Sequence, residues 1–228
     1  MNQIALNIAA VREKIKTACA RVDKNPGDII LLGATKQQQP EKILLAKQAG
    51  IDAVGENYVS ELLGKYGTGA YDGIPLHFIG RLQSNKAKQL VGKASLIHSL
   101  CTKTGADSLE KQAKSARLVQ QTLLQINVAG EDTKAGLEPF AVDAFLRYMS
   151  GLEHVCVRGL CAIIPQTQPD GYYFRKMQEL FIDISAKKYD NVIMDYLSMG
   201  MSFDYEQAIL YGANIVRIGS GIFGERVY

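Results

Sequence analysis

Lys36 is the first residue of this sequence whose type and position suit covalent chemistry. It follows the apolar run Ile29–Ala34 after one intervening residue, where a buried strand is expected to end. Burial disfavours the charged ammonium, and the neutral amine that results is the form that makes a Schiff base with an aldehyde. The alternative is a solvated lysine at the rim of the fold.

Arg217 is the only charged residue in a second apolar run, Asn214–Gly219. An arginine keeps its proton at any ordinary pH, so a buried guanidinium requires an acceptor. That acceptor is either a ligand atom or a carboxylate in a structural ion pair, and the sequence leaves both open.

Two segments of small residues, Leu197–Ser202 and Gly219–Gly221, have the composition of phosphate-binding loops. Glycines let backbone N–H groups approach an anion closely, and a following helix N-terminus favours negative charge. Together with Lys36 and Arg217 they predict pyridoxal 5′-phosphate, a cofactor with a phosphate, an aldehyde and a pyridine nitrogen. A Schiff-base aldolase acting on a sugar phosphate shares the lysine and the loops, and is the alternative.

Short apolar runs alternate with helical patterns along the chain, and this alternation determines where these residues lie. Eight strands are predicted, the first at Ile29–Ala34, the seventh at only Tyr196–Leu197 and the last at Asn214–Ile218. A helix fills each gap, and one more precedes the first strand. The pattern predicts parallel strands in a (β/α)8 TIM barrel that forms a single domain over residues 1–228. An open doubly wound sheet is the alternative.

In such a barrel the residues that follow the strands gather at one end. Asn57, after the second strand, is expected either to contact a ligand oxygen or to cap its helix. His77 is predicted to be a satisfied core or rim histidine rather than a base. Lys134, after the fifth strand, is a candidate second amine for cofactor exchange, or else a loop lysine beside Glu131 and Asp132.

The composition argues against several classes of function. The 26 basic and 23 acidic residues give a net charge of +3, too small for a nucleic-acid-binding face. No apolar run approaches the roughly 20 residues of a membrane helix, and the N-terminus does not resemble a signal peptide, so a cytoplasmic protein is expected. No metal-ligand spacing and no nucleophile motif is found, so neither metal ligands nor catalytic residues are predicted.

Several segments resemble those of the pyridoxal phosphate homeostasis protein family, the YggS/PROSC group, whose barrel is similar to the N-terminal domain of alanine racemase. They are Ala34–Lys36, Gly55–Tyr58, His77–Lys86, Gly130–Gly136, Ser198–Ser202 and Val216–Gly224. The last two are the most specific, and the resemblance runs from about Ile29 to Arg226.

The resemblance implies a role for each residue of a cofactor site. Lys36 corresponds to the lysine that carries pyridoxal 5′-phosphate, Arg217 to the partner of the pyridine nitrogen, and Asn57 to the residue near the phenolic oxygen. The implied phosphate-binding shell consists of Ser198, Met199, Gly200, Ser202, Gly219 and Ser220.

The resemblance also implies a protein that buffers and delivers pyridoxal phosphate inside the cell without turning over a substrate. Racemisation needs acid/base groups on both faces of the cofactor, and eight barrel units leave no residues for the second domain that supplies one in alanine racemase. A cationic Arg217 also keeps the ring nitrogen unprotonated, which weakens the cofactor as an electron sink. A racemase-like or decarboxylase-like enzyme is the alternative.

The expected partners are the cofactor and apo-enzymes that require it. A monomer is expected, with a dimer as the alternative.

Overall fold

The computed structural model describes residues 2–131, 133–165 and 170–224. Its eight strands follow one another in chain order round a closed parallel barrel, which confirms the predicted fold class. The strands are β1 Ile30–Ala34, β2 Ala53–Glu56, β3 Leu76–Phe78, β4 Leu96–Leu100, β5 Gln120–Ile126, β6 Val155–Ala162, β7 Val192–Ser198 and β8 Ile215–Ile218.

Helices connect the strands, and the predicted extra helix precedes β1. The helices are α1 Gln3–Ala20, α2 Pro40–Gln48, α3 Val59–Tyr66, α4 Ala87–Leu90, α5 Lys103–Ser115, α6 Val142–Met149, α7 Tyr172–Ser185, α8 Tyr205–Leu210 and α9 Ser220–Phe223. Helix α1 begins where the Asn2 side chain accepts a hydrogen bond from the Ala5 N–H at 2.8 Å. Across the described ranges, no helix is both long enough and apolar enough to cross a membrane.

The contacts group the chain into two compact units. The first consists of Met1–Leu76 with Met199–Tyr228, and the second of His77–Ser198. The single domain over residues 1–228 stays a prediction.

In the first unit, β1 pairs with β8 on one side and with β2 on the other. A Cβ added to Gly33 would lie 2.4 Å from the Ile51 side chain and 3.3 Å from the Phe223 ring of α9, so this face of β1 packs against the surrounding layer. Because strand residues alternate between faces, Leu32 and Ala34 point the other way. The register places Arg217 beside Leu32. Arg217 therefore shares the inward face of β1.

In the second unit, β7 is longer than predicted, since it runs from Val192 rather than from Tyr196. The first half of β7 is partly exposed, and the charged residue Asp195 interrupts its apolar run. The Asp195 carboxylate accepts a hydrogen bond from Arg158 Nε of β6 at 2.8 Å. A prediction based on buried apolar runs therefore finds only the buried end of the strand.

Gly159, in β6, provides a test of the β6–β7 pairing. Its φ is +143°, and an added Cβ would lie 1.9 Å from the Tyr196 carbonyl oxygen. We expect Gly159→Ala to lower the free energy of unfolding by about 3 kcal/mol or more, because overpacking and backbone strain each cost about 1–3 kcal/mol. Urea unfolding measures the loss.

The matched control is Gly64→Ala, since Gly64 lies within α3 and its added Cβ meets no atom within 4 Å. We expect this variant to be more stable by about 0.5–1 kcal/mol, the usual gain of alanine over glycine in a helix. Equal unfolding curves for the two variants would contradict the conclusion that Gly159 has no room for a side chain against β7.

Candidate functional site

Lys36 lies two residues beyond the end of β1 and is half-buried. The Thr35 N–H donates to the Gly55 carbonyl at 2.9 Å, which extends the pairing with β2 as far as the residue before the lysine. The Gln37 N–H, on the other side, donates to Glu61 Oε2 of α3 at 2.6 Å. The backbone is therefore held immediately before and immediately after Lys36.

A buried cluster of charged and polar groups lies behind this point. Glu56 is fully buried, and its Oε1 accepts hydrogen bonds from Thr35 Oγ1 at 2.6 Å, Lys65 Nζ at 2.8 Å and Tyr71 OH at 2.9 Å. Burial raises the pKa of Tyr71, and the negative charge of the Glu56 carboxylate raises it further, so the phenol remains a hydrogen-bond donor. Lys65 Nζ also donates to the Thr35 carbonyl at 2.7 Å and lies 3.3 Å from Glu61 Oε2.

Sequence reasoning assigned no role to Glu56, Glu61 or Lys65. One local signal was present: Glu61 and Lys65 are four residues apart, so they lie on one face of the predicted helix and can pair. Nothing in the sequence shows that this face turns toward the residues next to Lys36.

Asn57 follows β2 and was expected either to contact a ligand or to cap α3. The N-cap residue of α3 is Tyr58, and no side chain caps the helix. The Asn57 Oδ1 is buried and, within the described part of the chain, has no hydrogen-bond partner. The capping interpretation is therefore wrong. A buried amide oxygen without a partner fits a residue that contacts a ligand.

Arg217 lies on β8 and is only 6% exposed. The backbone N–H of Arg217 donates a hydrogen bond to the Gly200 carbonyl at 3.0 Å, and this bond attaches the loop after β7 to β8. Burial raises the pKa of Asp204, while the Met201 N–H and the Arg217 charge act in the opposite direction. Arg217 thus supplies positive potential next to the loop that was predicted to bind phosphate.

The loop after β8 lies against the end of β1. An added Cβ on Gly219 would be 3.7 Å from Ala34 Cβ, two residues before Lys36. Ser220 begins the short helix α9, whose first N–H groups have no acceptor within the helix. Donors suited to an anion therefore lie near the strand end that carries Lys36.

The loop after β7 contacts the same region. Ser202 Oγ accepts a hydrogen bond from the Gly221 N–H at 3.3 Å, which joins the two predicted phosphate loops. Gly200 has φ +91°, and an added Cβ would lie 2.8 Å from Tyr205 Cα, so only glycine fits here. Met199, just before it, is fully buried.

The structure brings most of the predicted cofactor-binding residues into the first unit. These are Lys36, Asn57, Met199, Gly200, Ser202, Arg217, Gly219 and Ser220. Ser198 is the last residue of the second unit and is bonded to Met199 through the peptide chain; its Oγ lies 3.1 Å from His98 Nδ1.

The remaining candidates lie in the second unit. His77 is buried, which lowers its pKa to about 4, and its Nδ1 lies 3.0 Å from His98 Nε2. It is therefore the satisfied core histidine that was predicted. Lys134 Nζ lies 2.8 Å from Glu131 Oε1, in agreement with the loop-lysine interpretation. Asp132 lies outside the described residues.

Known proteins resemble the chain over its full length. The pyridoxal phosphate homeostasis protein of Aquifex aeolicus (strain VF5) is 44% identical over 224 residues, which cover 97% of each chain. The protein of the same name from Escherichia coli (strain K12) is 34% identical over 234 residues, which cover 100% of this chain and 99% of the relative. No family model matches the chain.

Solved structures show the same fold. PipY of Synechococcus elongatus PCC7942, solved with PLP bound, has a TM-score of 0.84 and 28% identity, and the alignment covers 97% of this chain and 100% of that one. Alanine racemase of Clostridium difficile 630 has a TM-score of 0.73 and 14% identity, over 99% of this chain and 57% of that one. At 14% identity the likeness concerns the fold alone.

The buried Glu56–Lys65 pair gives a stability prediction. Lys65→Met leaves the carboxylate of Glu56 buried without its cationic partner, which costs about 3–5 kcal/mol in comparable cases. Lys134→Met is the control, because the Lys134–Glu131 pair is more than one-third exposed on both sides and such pairs contribute about 0–1 kcal/mol. Urea unfolding measures the free energy of unfolding of both variants. Similar losses in the two would show that the buried pair contributes no more to stability than the exposed pair.

Proposed function

Because the chain belongs to the pyridoxal phosphate homeostasis protein family, we propose that it binds pyridoxal 5′-phosphate and buffers and delivers this cofactor inside the cell. The PLP-bound structure of PipY, a full-length structural neighbour, supports the choice of ligand. The observation that carries the proposal is the pairing of β1 with β8, which places Arg217 beside Leu32 and Gly219 against Ala34, two residues before Lys36.

The residues present fit this cofactor. The Asn57 Oδ1 is a buried polar atom without a partner in the described chain, and Asn57 follows β2, the strand that pairs with β1. Ala34 and Gly219, which lie against each other, carry no large side chain next to the strand end that Lys36 follows.

Each group of the cofactor has a complementary group in the chain. The bound cofactor supplies an aldehyde, which an amine captures as a Schiff base, together with a pyridine nitrogen and a phosphate. Lys36 provides the amine. The N–H groups of Gly219 and Ser220, with Ser198, Met199, Gly200 and Ser202, would bind the phosphate, Arg217 would pair with the ring nitrogen, and Asn57 would contact the phenolic oxygen.

Carriage without turnover is the activity that these residues favour. A guanidinium at Arg217 beside the ring nitrogen would disfavour its protonated form, and an unprotonated ring withdraws electrons less well. The names of the relatives describe homeostasis rather than a reaction. We therefore propose a cytoplasmic, monomeric carrier whose partners are apo-enzymes that require the cofactor.

Lys36→Ala tests the point of attachment. We expect borohydride treatment of the loaded wild-type protein to fix a pyridoxyl group on Lys36, and digestion with mass spectrometry to locate it. The variant should lose this label but keep weaker binding, because the phosphate loops do not depend on the amine. Lys42→Ala, an exposed lysine on α2, is the control and should be labelled like the wild type. Label found mainly on another lysine contradicts the assignment.

Turnover is tested with the loaded protein and a panel of amino acids. Because Arg217 weakens electron withdrawal by the ring, we expect racemisation and decarboxylation to be absent or far slower than about 1 s⁻¹, the lower end of ordinary enzyme rates. Chiral chromatography and carbon dioxide release measure the two reactions. Steady turnover of any one amino acid at that rate would overturn the carrier proposal.

A further inference from the structure

We propose that Glu61 and Lys65, one helical turn apart on α3, form a clamp that positions the amine of Lys36 for bond formation with the cofactor. This inference rests on the proposed function. The two residues are called the α3 clamp below. Neither is expected to touch the cofactor, so both are positioning residues.

The α3 clamp holds the two peptide units that flank the lysine. Lys65 Nζ donates to the carbonyl of Thr35, the residue before Lys36, at 2.7 Å. Glu61 Oε2 accepts from the N–H of Gln37, the residue after it, at 2.6 Å. Contacts on both sides restrict the rotation of the Lys36 backbone, and therefore the direction in which its side chain leaves the chain.

The backbone at Gln37 requires such a contact. Gln37 has φ +60°, in the left-handed region that is unfavourable for a residue other than glycine. Strain of this kind persists where surrounding bonds enforce it, and it occurs frequently at functional sites. A charge-assisted hydrogen bond from the Gln37 N–H to a carboxylate is strong enough to offset it.

The geometry of α3 keeps the clamp rigid. Glu61 and Lys65 are an i,i+4 pair whose charged groups lie 3.3 Å apart, so each restricts the other. Lys65 is also bonded to the buried Glu56, which accepts from Thr35 and from Tyr71. The clamp is thus anchored in the buried cluster behind the strand.

The functional consequence concerns only ligands that react with the amine. Pyridoxal 5′-phosphate has an aldehyde, whereas pyridoxine 5′-phosphate carries an alcohol in its place and cannot bond to Lys36. If the α3 clamp positions the amine, its loss weakens the binding of the first ligand and spares the second. A merely structural role for the clamp would affect both ligands alike or neither.

The test is Glu61→Ala, because the Glu61 side chain is 26% exposed and its removal leaves the Glu56–Lys65 pair in place. We expect the affinity for pyridoxal 5′-phosphate to fall about tenfold, the loss typical of one hydrogen bond to a charged group. The affinity for pyridoxine 5′-phosphate should change by less than about twofold. Equilibrium dialysis measures both dissociation constants.

Two further variants complete the experiment. Glu61→Gln keeps an oxygen acceptor for the Gln37 N–H, so it should retain most of the preference for the aldehyde. Glu41→Ala removes an exposed carboxylate from the first turn of α2 and should bind both ligands like the wild type. Thermal unfolding of each variant separates lost binding from lost folding.

The outcomes distinguish this inference from the proposed function. A wild type that binds neither ligand overturns the proposed function, and the clamp proposal with it. A wild type that prefers the aldehyde, combined with a Glu61→Ala variant that keeps the full preference or loses both ligands equally, overturns the clamp alone. If Glu61→Ala does not fold, a Glu61→Gln variant with a clearly reduced preference also overturns it, since that variant keeps the acceptor.

Discussion

Two opposite charges, Glu56 and Lys65, are buried directly behind the end of β1, and the position of Lys36 depends on their staying paired. Glu56 has no exposed surface, so its carboxylate is stabilised by its hydrogen-bond donors rather than by water. Those donors are Thr35, which directly follows β1, Lys65 of α3, and Tyr71 of the loop that follows α3. One carboxylate oxygen therefore determines how the strand, the helix and the loop meet, and Lys36 follows the strand by two residues.

The pairing of three strands explains why the remaining site residues lie near this point. In a parallel pair, residues in register present their side chains to the same face, and here β1 lies between β8 and β2. Arg217 lies beside Leu32, and Gly55 lies beside Ala34. Residues that follow these strands therefore emerge at the same end of the strands. The site is thus a consequence of register, while its charge comes from Arg217.

The sequence predicted the features that depend on composition and period. Buried apolar runs identified β1 and β8 because such strands lack polar interruptions, and the exposed first half of β7 was missed because Asp195 interrupts its run. Lys36 and Arg217 were found because a charge next to a buried run is conspicuous. The α3 clamp was not found, since the face that a helix turns toward a loop is a tertiary property. The left-handed backbone of Gln37 gave no signal either, because its residue type does not favour that conformation.

The two ends of the proposed ligand are held by different physical means, and this difference suits a carrier. Side chains of α3 hold the peptide units on either side of Lys36, whereas the phosphate loops would act through backbone N–H groups, and the Arg217–Gly200 backbone hydrogen bond attaches one of these loops to β8. In the proposed complex, loss of the bond to the amine would leave the contacts of the phosphate loops intact. In such a site, bond formation with the amine and retention of the phosphate would depend on different residues, so a substitution in α3 would weaken the first and spare the second.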